Sequence, residues 1–262
     1  MSKTLIIGNW KMNLNIHQAS LYVHELTEKI PAHTDVDVVF APSNLALQTL
    51  SLQLRRKDFK LAAQNVYFKD EGPYTGEVSA VMLRGLVDYV LVGHSERRHV
   101  FGETDKDVRA KVQAVLRAGL IPVLCVGETA DERANNETKH VLHDQITGGL
   151  ANVSSEEIHK VVIAYEPVWA ISSGHDFAKH KIPSSVDLEK VRDIIRHQIS
   201  ALYGETAEQE LRLLYGGSAN GDNCAGFLGL KGIEGLLVGG ASLKREEFVT
   251  IVKKAQSLRG EA

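Results

Sequence analysis

Eight short apolar runs constrain the fold of this 262-residue chain more than any other feature of its sequence. They are β-rich and nearly continuously apolar, which is the pattern of strands buried on both faces of a parallel sheet. The runs span residues 5–8, 36–41, 60–64, 89–93, 121–127, 161–165, 211–214 and 235–239. They therefore predict eight buried strands.

Amphipathic stretches lie between most of these runs and predict helices. Val108, Val112 and Val115 share one face of the segment ETDKDVRAKVQAVLRAGL, and Thr104 is a good N-cap. This pattern predicts a helix over 104–118, between the fourth and fifth runs. A helix that connects two strands of one sheet makes a crossover, so the strands are expected to run parallel.

Eight strand–helix units predict an α/β fold, a single closed (β/α)8 barrel of the TIM-barrel type that spans residues 1–262 as one domain. The alternative is an open, doubly wound sheet, which normally carries a G-x-G-x-x-G fingerprint after its first strand. The first run leads into GNWKMN, which does not fit that fingerprint. No linker or low-complexity segment divides the chain, so one domain is expected.

Composition excludes several classes of protein. The formal net charge is −3 and no basic cluster alternates with aromatic residues, so a nucleic-acid partner is not expected. The two cysteines, Cys125 and Cys224, give no disulfide framework and fit a reducing compartment. No stretch approaches the roughly 18 apolar residues of a membrane span, and the N-terminus lacks the apolar core of a signal peptide. We therefore expect a soluble, cytoplasmic protein that does not bind membranes.

Polar residues follow six of the runs, where the chain would leave the barrel. Catalytic groups of such barrels collect at the carboxyl ends of the strands, so these residues are expected to converge on one rim. They are Asn9 and Lys11, then Gln64 and Asn65, then His94, Ser95 and Glu96, then Glu166, then the YGGS stretch 215–218, and last the VGG stretch 238–240.

The residue types in this set restrict the chemistry. No position shows metal-ligand spacing such as H-E-x-x-H or paired C-x-x-C, and no metal is expected. There is no G-x-S-x-G nucleophile elbow and no G-x-x-x-x-G-K-[ST] nucleotide loop. Acid–base chemistry with oxyanion stabilisation remains, beside glycine-rich loops whose backbone amides could bind a phosphate.

These residues lie in stretches that closely resemble the triosephosphate isomerase family, and the likeness covers the whole chain. The matching stretches are GNWKMN (8–13), AQNVY (63–67), TGEVSA (75–80), GHSERR (93–98), AGLIPVLCVGET (118–129), AYEPVWAI (164–171), LLYGGS (213–218) and LLVGGASL (236–243). The resemblance implies interconversion of D-glyceraldehyde 3-phosphate and dihydroxyacetone phosphate in glycolysis and gluconeogenesis, without a cofactor.

The resemblance also implies roles for the polar residues. Glu166 would be the base that moves a proton between two neighbouring carbons. His94 would be a neutral electrophile, because a helix that begins beside it disfavours the charged ring, as is known for this family. Lys11 and Asn9 would stabilise the enediolate, and Glu96 would support the rim through an ionic contact with Lys11.

The phosphate is expected to bind backbone amides of Ser172, Ser218, Gly239 and Gly240, which match the family's phosphate cradle. The family usually has AIGTGK where this chain has AISSGH, so Ser172 replaces a glycine, and the following segment is longer by about four residues. The stretch 167–169, PVW, would form the first hinge of a lid that excludes water. Trp169 is expected to contact Glu128, and Tyr215 and Ser218 to latch the closed lid.

The resemblance further implies a homodimer in which the loop around Thr75 reaches the partner subunit. Two other functions remain open at this point. One is an aldolase with Lys11 as a Schiff-base nucleophile, which would need a desolvated amine. The other is a non-catalytic sugar-phosphate binder, which would be expected to lack Glu166 or His94.

Overall fold

The computed structural model describes residues 3–30, 34–171 and 182–260, and its strands form one closed parallel barrel. Each strand pairs with the next one along the chain, and β1 pairs with β8 to close the ring. This confirms the predicted TIM barrel and excludes the open sheet. The strands are β1 Thr4–Asn9, β2 Val36–Ala41, β3 Phe59–Ala63, β4 Tyr89–Val92, β5 Ile121–Val126, β6 Val162–Tyr165, β7 Arg212–Tyr215 and β8 Gly235–Val238.

Helices alternate with these strands and surround them. The α-helices of the described ranges are α1 Ile16–Lys29, α2 Asn44–Gln53, α3 Ser95–His99, α4 Asp105–Arg117, α5 Ala130–Ala134, α6 Thr138–Leu150, α7 Ser185–Tyr203, α8 Glu205–Glu210, α9 Cys224–Leu228 and α10 Arg245–Gly260. Short 3-10 helices occur at Val81–Leu83, Ile158–Lys160, Val168–Ala170 and Gly240–Leu243. None of the helices in these ranges is long and apolar enough to cross a membrane.

The helix predicted over 104–118 is confirmed as α4. Thr104 caps it as expected, because its side chain accepts a hydrogen bond from the Asp107 N–H while the Asp107 carboxylate accepts one from the Thr104 N–H. Val108, Val112 and Val115 are buried on the face that packs against the barrel.

Two apolar layers explain why the strands are apolar on both faces. Alternate residues such as Leu5, Ile7 and Val39 fill the barrel interior. Their neighbours, such as Ile6 and Val38, pack outward against the helices. Because both faces are dry, polar side chains are confined to the strand ends, and the carboxyl ends form the rim described next.

Candidate active site

A cavity of about 300 Å³ opens at the carboxyl ends of the strands. Asn9, Lys11, His94 and Glu166 line it, although they come from the ends of three different strands. The turns after β7 and β8 complete the wall with Gly216, Gly217, Ser218, Gly239 and Gly240. These strand-end residues therefore share one concave site, as expected.

Glu166 is the first residue after β6 and is 2% exposed. Its N–H donates to the Val126 carbonyl at 2.7 Å, so β5 fixes its main chain. One carboxylate oxygen, Oε1, lies 3.0 Å from His94 Nε2, and the other, Oε2, accepts the Ser95 N–H at 2.9 Å. The buried carboxylate is thus held as an anion by two donors that follow β4, the His94 ring and the Ser95 N–H.

Two glycines make room for Glu166. A Cβ added to Gly127 would lie 1.8 Å from the Glu166 carbonyl oxygen, and one added to Gly216 would lie 2.8 Å from the Glu166 Cγ. Both distances are far below van der Waals contact. The glycines of CVGET and YGGS therefore have a steric role beside this carboxylate, in addition to any role in turns or phosphate binding.

His94 caps α3 with its ring. Its Nδ1 accepts the Glu96 N–H at 3.2 Å, so the Nδ1 lone pair is engaged. The proton of the neutral ring then lies on Nε2, which faces Glu166. A neutral ring with an Nε2–H donor directed at the cavity is the form that can polarise a carbonyl oxygen.

Charges in the site shift the pKa values of both partners. Burial raises the pKa of Glu166, but His94, the Ser95 N–H and Lys11 outweigh burial and hold that pKa below its ordinary value. Burial lowers the pKa of His94, whereas the carboxylates of Glu166 and Glu96 raise it, with a net shift upward. Glu166 is consequently ionised and able to accept a proton at neutral pH.

Lys11 has an unusual backbone, with φ of 53°. Left-handed backbone is rare for residues other than glycine, and the surroundings must hold it. The Gln64 side-chain amide donates to the Lys11 carbonyl at 2.8 Å, and Asn9 Oδ1 accepts the Lys11 N–H at 3.0 Å. With its oxygen committed to Lys11, Asn9 has its amide NH2 group left as a donor.

Glu96 forms the predicted ionic contact, since its Oε1 lies 2.6 Å from Lys11 Nζ. The pair joins the loop after β1 to the start of α3. It also fixes the direction of the Lys11 ammonium, which would otherwise be free on a four-carbon side chain.

The 3-10 helix Val168–Ala170 follows Pro167, where the first hinge of a lid was expected. Trp169 Nε1 donates to Glu128 Oε1 at 2.8 Å, as the resemblance implied, and the Tyr165 hydroxyl donates to the same fully buried carboxylate. Arg133 lies 4.2 Å from the Trp169 ring and 3.6 Å from Glu128. This cluster anchors the 3-10 helix to the ends of β5 and β6.

The turn after β8 has the features expected for phosphate binding. Within the described residues, the N–H groups of Gly239 and Gly240 donate to no other protein group, and both glycines line the cavity. A Cβ on Gly239 would lie 3.6 Å from Lys11 Cε, so the turn faces that lysine. Ser218 is different, because its N–H and hydroxyl both donate to the Ala170 carbonyl, at 3.0 and 2.8 Å.

Four other residues of the sequence analysis are either away from this cavity or outside the described chain. Ser172 lies outside the described residues. Asn65 does not face the cavity, because its Oδ1 accepts from Lys111 Nζ at 2.8 Å. The Tyr215 hydroxyl is buried without a partner in the described part of the chain. Cys125 is fully buried in the barrel interior, where packing is its role.

Sequence reasoning missed four contributors to this site. The strand-end pattern includes Gln64 and Ser95 but predicts no role for them, and it predicts none for Gly127 or Arg133. Only the helix start at GHSERR carried a usable signal, since the first N–H groups of a helix need acceptors. In the described ranges, no three His, Cys, Asp or Glu side chains are grouped to hold a metal ion.

Comparison with known proteins points to one family. The model of the family "Triosephosphate isomerase" matches residues 4–255. The triosephosphate isomerase of Trichlorobacter lovleyi is 41% identical over 254 residues, which cover 97% of this chain and 99% of that protein. That of Clostridium tetani is 41% identical over 253 residues, 96% of each chain. The crystal structure of triosephosphate isomerase from Bartonella henselae is similar with a TM-score of 0.84 and 36% identity, over 96% of this chain and 98% of that one.

Proposed function

Because the chain belongs to the triosephosphate isomerase family, we propose that its cavity interconverts D-glyceraldehyde 3-phosphate and dihydroxyacetone phosphate. One observation supports this most directly. The buried Glu166 carboxylate and the His94 ring face each other at 3.0 Å beside the Lys11 ammonium, in a single cavity. A base, an electrophile and a fixed cation are the groups that an aldose–ketose isomerisation needs.

Glu166 acts first. Its carboxylate leaves its hydrogen-bond donors, the Ser95 N–H and the His94 ring, when the substrate binds. It then removes a proton from the carbon next to the substrate carbonyl. The electron pair of that C–H bond forms the carbon–carbon double bond of an enediolate, and the carbonyl oxygen takes the negative charge. The protonated Glu166 then returns the proton to the neighbouring carbon, which completes the isomerisation without a covalent intermediate.

His94 donates its Nε2–H to the carbonyl oxygen while this charge develops. The carboxylate of Glu166 is neutralised when it takes the substrate proton, so it no longer raises the pKa of His94. Burial, the largest influence, and Lys11 both lower that pKa and then favour the neutral ring, against the remaining Glu96 carboxylate, which raises it. The ring can therefore move protons between the two substrate oxygens without first becoming a cation.

Lys11 and Asn9 stabilise the enediolate as fixed donors. The ion pair with Glu96 and the hydrogen bond to Asn9 Oδ1 hold Lys11 before substrate arrives, so little reorganisation is required. The phosphate binds the N–H groups of Gly239 and Gly240, and of Ser218 once it releases the Ala170 carbonyl. Ser172 would supply a further N–H.

The two alternative functions lack support. A Schiff-base aldolase needs an unpaired, unprotonated amine, whereas Lys11 Nζ lies 2.6 Å from Glu96 Oε1. A non-catalytic binder has no use for a buried carboxylate and imidazole in direct contact.

We further propose a cytoplasmic homodimer of single-domain chains that acts in glycolysis and gluconeogenesis. Four large apolar side chains in the segments that follow β1 to β4 are well exposed: Met12 (96%), Leu45 (75%), Met82 (63%) and Phe101 (66%). Thr75 is exposed in the loop after β3, where the rings of Tyr67 and Tyr74 contact each other with centroids 4.6 Å apart. An exposed apolar patch of this kind is typical of a subunit interface.

The test is a coupled isomerase assay on wild type and Glu166→Asp. Shortening the side chain by one methylene draws the carboxylate back by about 1 Å and is expected to lower kcat on the order of 100-fold. Glu189→Asp is the matched control, because Glu189 is exposed on α7 and lies outside the cavity. Equal rates for Glu166→Asp and wild type would contradict the assignment of Glu166 as base.

A further inference from the structure

Lys244 lies at the mouth of the cavity and has no role in the chemistry described above. It is exposed and lines the same cavity as Glu166 and Lys11. It occupies the junction between the 3-10 helix Gly240–Leu243 and α10. Its main chain is fixed there, because its N–H donates to the Ala241 carbonyl and its carbonyl accepts the Phe248 N–H.

The other charges that line the cavity are already committed. Lys11 is paired with Glu96 at 2.6 Å, and Glu166 is bound by His94 and Ser95. The carboxylate of Glu247 accepts the Gly221 N–H at 2.7 Å. Across residues 3–30, 34–171 and 182–260, by contrast, the ammonium group of Lys244 has no ion pair or hydrogen-bond partner.

Local stability gives no reason for a lysine at this position. Lys244 directly precedes α10, where the helix dipole favours negative charge and disfavours a cation. The next residue, Arg245, offsets the same disadvantage through ion pairs with Glu25 and Glu246. Lys244 has no such compensation among the described residues, so its charge is available to a ligand.

The substrate of the proposed function carries a phosphate dianion, and the chain carries a formal net charge of −3. A dianion approaching this protein is repelled at long range unless the cavity mouth is locally positive. Lys244 lines the same cavity as the Gly239–Gly240 turn, whose N–H groups are unpaired in the described chain. The lysine therefore adds a full charge beside a neutral set of phosphate donors.

We propose that Lys244 is a specificity-determining residue that attracts the phosphate dianion to the cavity and holds it at the Gly239–Gly240 turn. The proposal rests on the proposed isomerase function for the identity of the substrate. Lys244 does not touch the reacting carbons, so it acts on substrate capture and leaves the proton transfers to Glu166 and His94.

The experiment compares wild type, Lys244→Gln and Lys244→Glu, with Lys253→Gln as the matched control. Lys253 is exposed on the same helix but does not line the cavity, so its substitution removes the same charge away from the mouth. Urea denaturation should give Lys244→Gln and Lys244→Glu a midpoint at or above that of wild type, because each removes a cation that is unpaired in the described chain from the start of α10.

In Lys244→Gln, kcat/KM is expected to fall about 3- to 10-fold at low ionic strength, with a larger fall in Lys244→Glu, while kcat changes less than about 2-fold. Adding salt to about 0.2 M should shrink the difference from wild type, because exposed charges are screened over about 7–10 Å. Lys253→Gln should follow wild type. A Lys244→Gln variant that matches Lys253→Gln in kcat/KM and in salt dependence, or that loses kcat at unchanged KM, would overturn the proposal.

Binding of inorganic phosphate, measured by calorimetry, separates this proposal from the proposed function because it needs no turnover. Weaker phosphate binding in Lys244→Gln than in Lys253→Gln supports the anion site, even if wild type lacks isomerase activity. A lack of isomerase activity in wild type would overturn only the assigned reaction. An active wild type whose phosphate affinity is unaffected by Lys244→Gln overturns the role of Lys244 and leaves the isomerase function standing.

Discussion

At the scale of single residues, the tightest steric constraint in the site falls on a glycine. Gly127 follows β5, and a Cβ there would lie 1.8 Å from the Glu166 carbonyl oxygen and 2.6 Å from its carbonyl carbon. Backbone atoms cannot move aside as a flexible side chain can, so any larger residue must displace β6 or Glu166. The position of Glu166, the proposed base, therefore depends on the absence of a side chain in the neighbouring loop.

We expect Gly127→Ala to lower the free energy of unfolding by about 3 kcal/mol, because it overpacks a buried backbone contact. It should also lower kcat on the order of 100-fold, since a shift of about 1 Å in the base is enough for that loss. Urea denaturation and the coupled isomerase assay measure the two effects.

Gly226→Ala is the control for this substitution. Gly226 lies inside α9 with nothing within 4 Å of an added Cβ, so alanine there should be neutral or should stabilise by up to about 1 kcal/mol. If Gly127→Ala behaved like Gly226→Ala in both measurements, the steric argument would be wrong.

At the scale of elements, α4 shows how local sequence sets the geometry below the site. The Asp107 carboxylate accepts hydrogen bonds from the Thr104 hydroxyl at 2.6 Å and from the Thr104 N–H at 3.0 Å. These bonds hold the pKa of Asp107 below its ordinary value, since they favour the ionised form. The helix start is fixed, and with it the end of the loop that begins at His94.

We expect Asp107→Ala to destabilise the protein by about 1 kcal/mol through loss of this capping box. Asp131→Ala is matched to it, because Asp131 also lies in the first turn of a helix, α5, but its side chain makes no capping bond. Asp131→Ala loses only the dipole interaction and should cost less. Equal costs in urea denaturation would show that the capping bonds contribute nothing.

The lowered pKa of Asp107 also predicts how the stability effect of Asp107→Ala depends on pH. A carboxyl whose pKa is lowered on folding stabilises the folded state above its unfolded pKa, and this stabilisation is lost as the pH falls through the folded pKa. The difference in free energy of unfolding between wild type and Asp107→Ala should be constant from about pH 7 to about pH 4 and should shrink below that. A gap that widens with acid would contradict the sign.

At the scale of the whole molecule, four well-exposed apolar side chains lie on one side of the ring. Met12, Leu45, Met82 and Phe101 follow four consecutive strands, which are neighbours in the barrel. Met12 is also next to Lys11 in sequence, so a partner that covers this surface would pack against the active-site rim. Assembly and activity are therefore expected to be coupled.

Light scattering of wild type should give twice the 28.8 kDa of one chain. Met12→Glu places a charge where the proposed interface would bury it, so the mass should fall toward that of one chain at micromolar concentration, with loss of activity. Leu202→Glu is the control, because Leu202 lies on α7, across the ring from these loops. A wild type that is monomeric at this concentration would contradict the dimer.

The sequence by itself determined the alternation of buried strands and amphipathic helices, because burial on both faces of a strand and on one face of a helix leaves a local pattern. It also located the strand-end residues Asn9, Lys11, His94 and Glu166, and the family stretches around them.

Only the tertiary structure decided how those residues meet. Ser95 donates to Glu166 across 71 positions of sequence, and Lys11 pairs with Glu96 across 85. The left-handed backbone of Lys11 and the closeness of Gly127 to Glu166 also have no local signature. The physical reason is closure of the barrel: the distance between two strand ends depends on the pairing of all eight strands, and no segment of the chain contains that information alone.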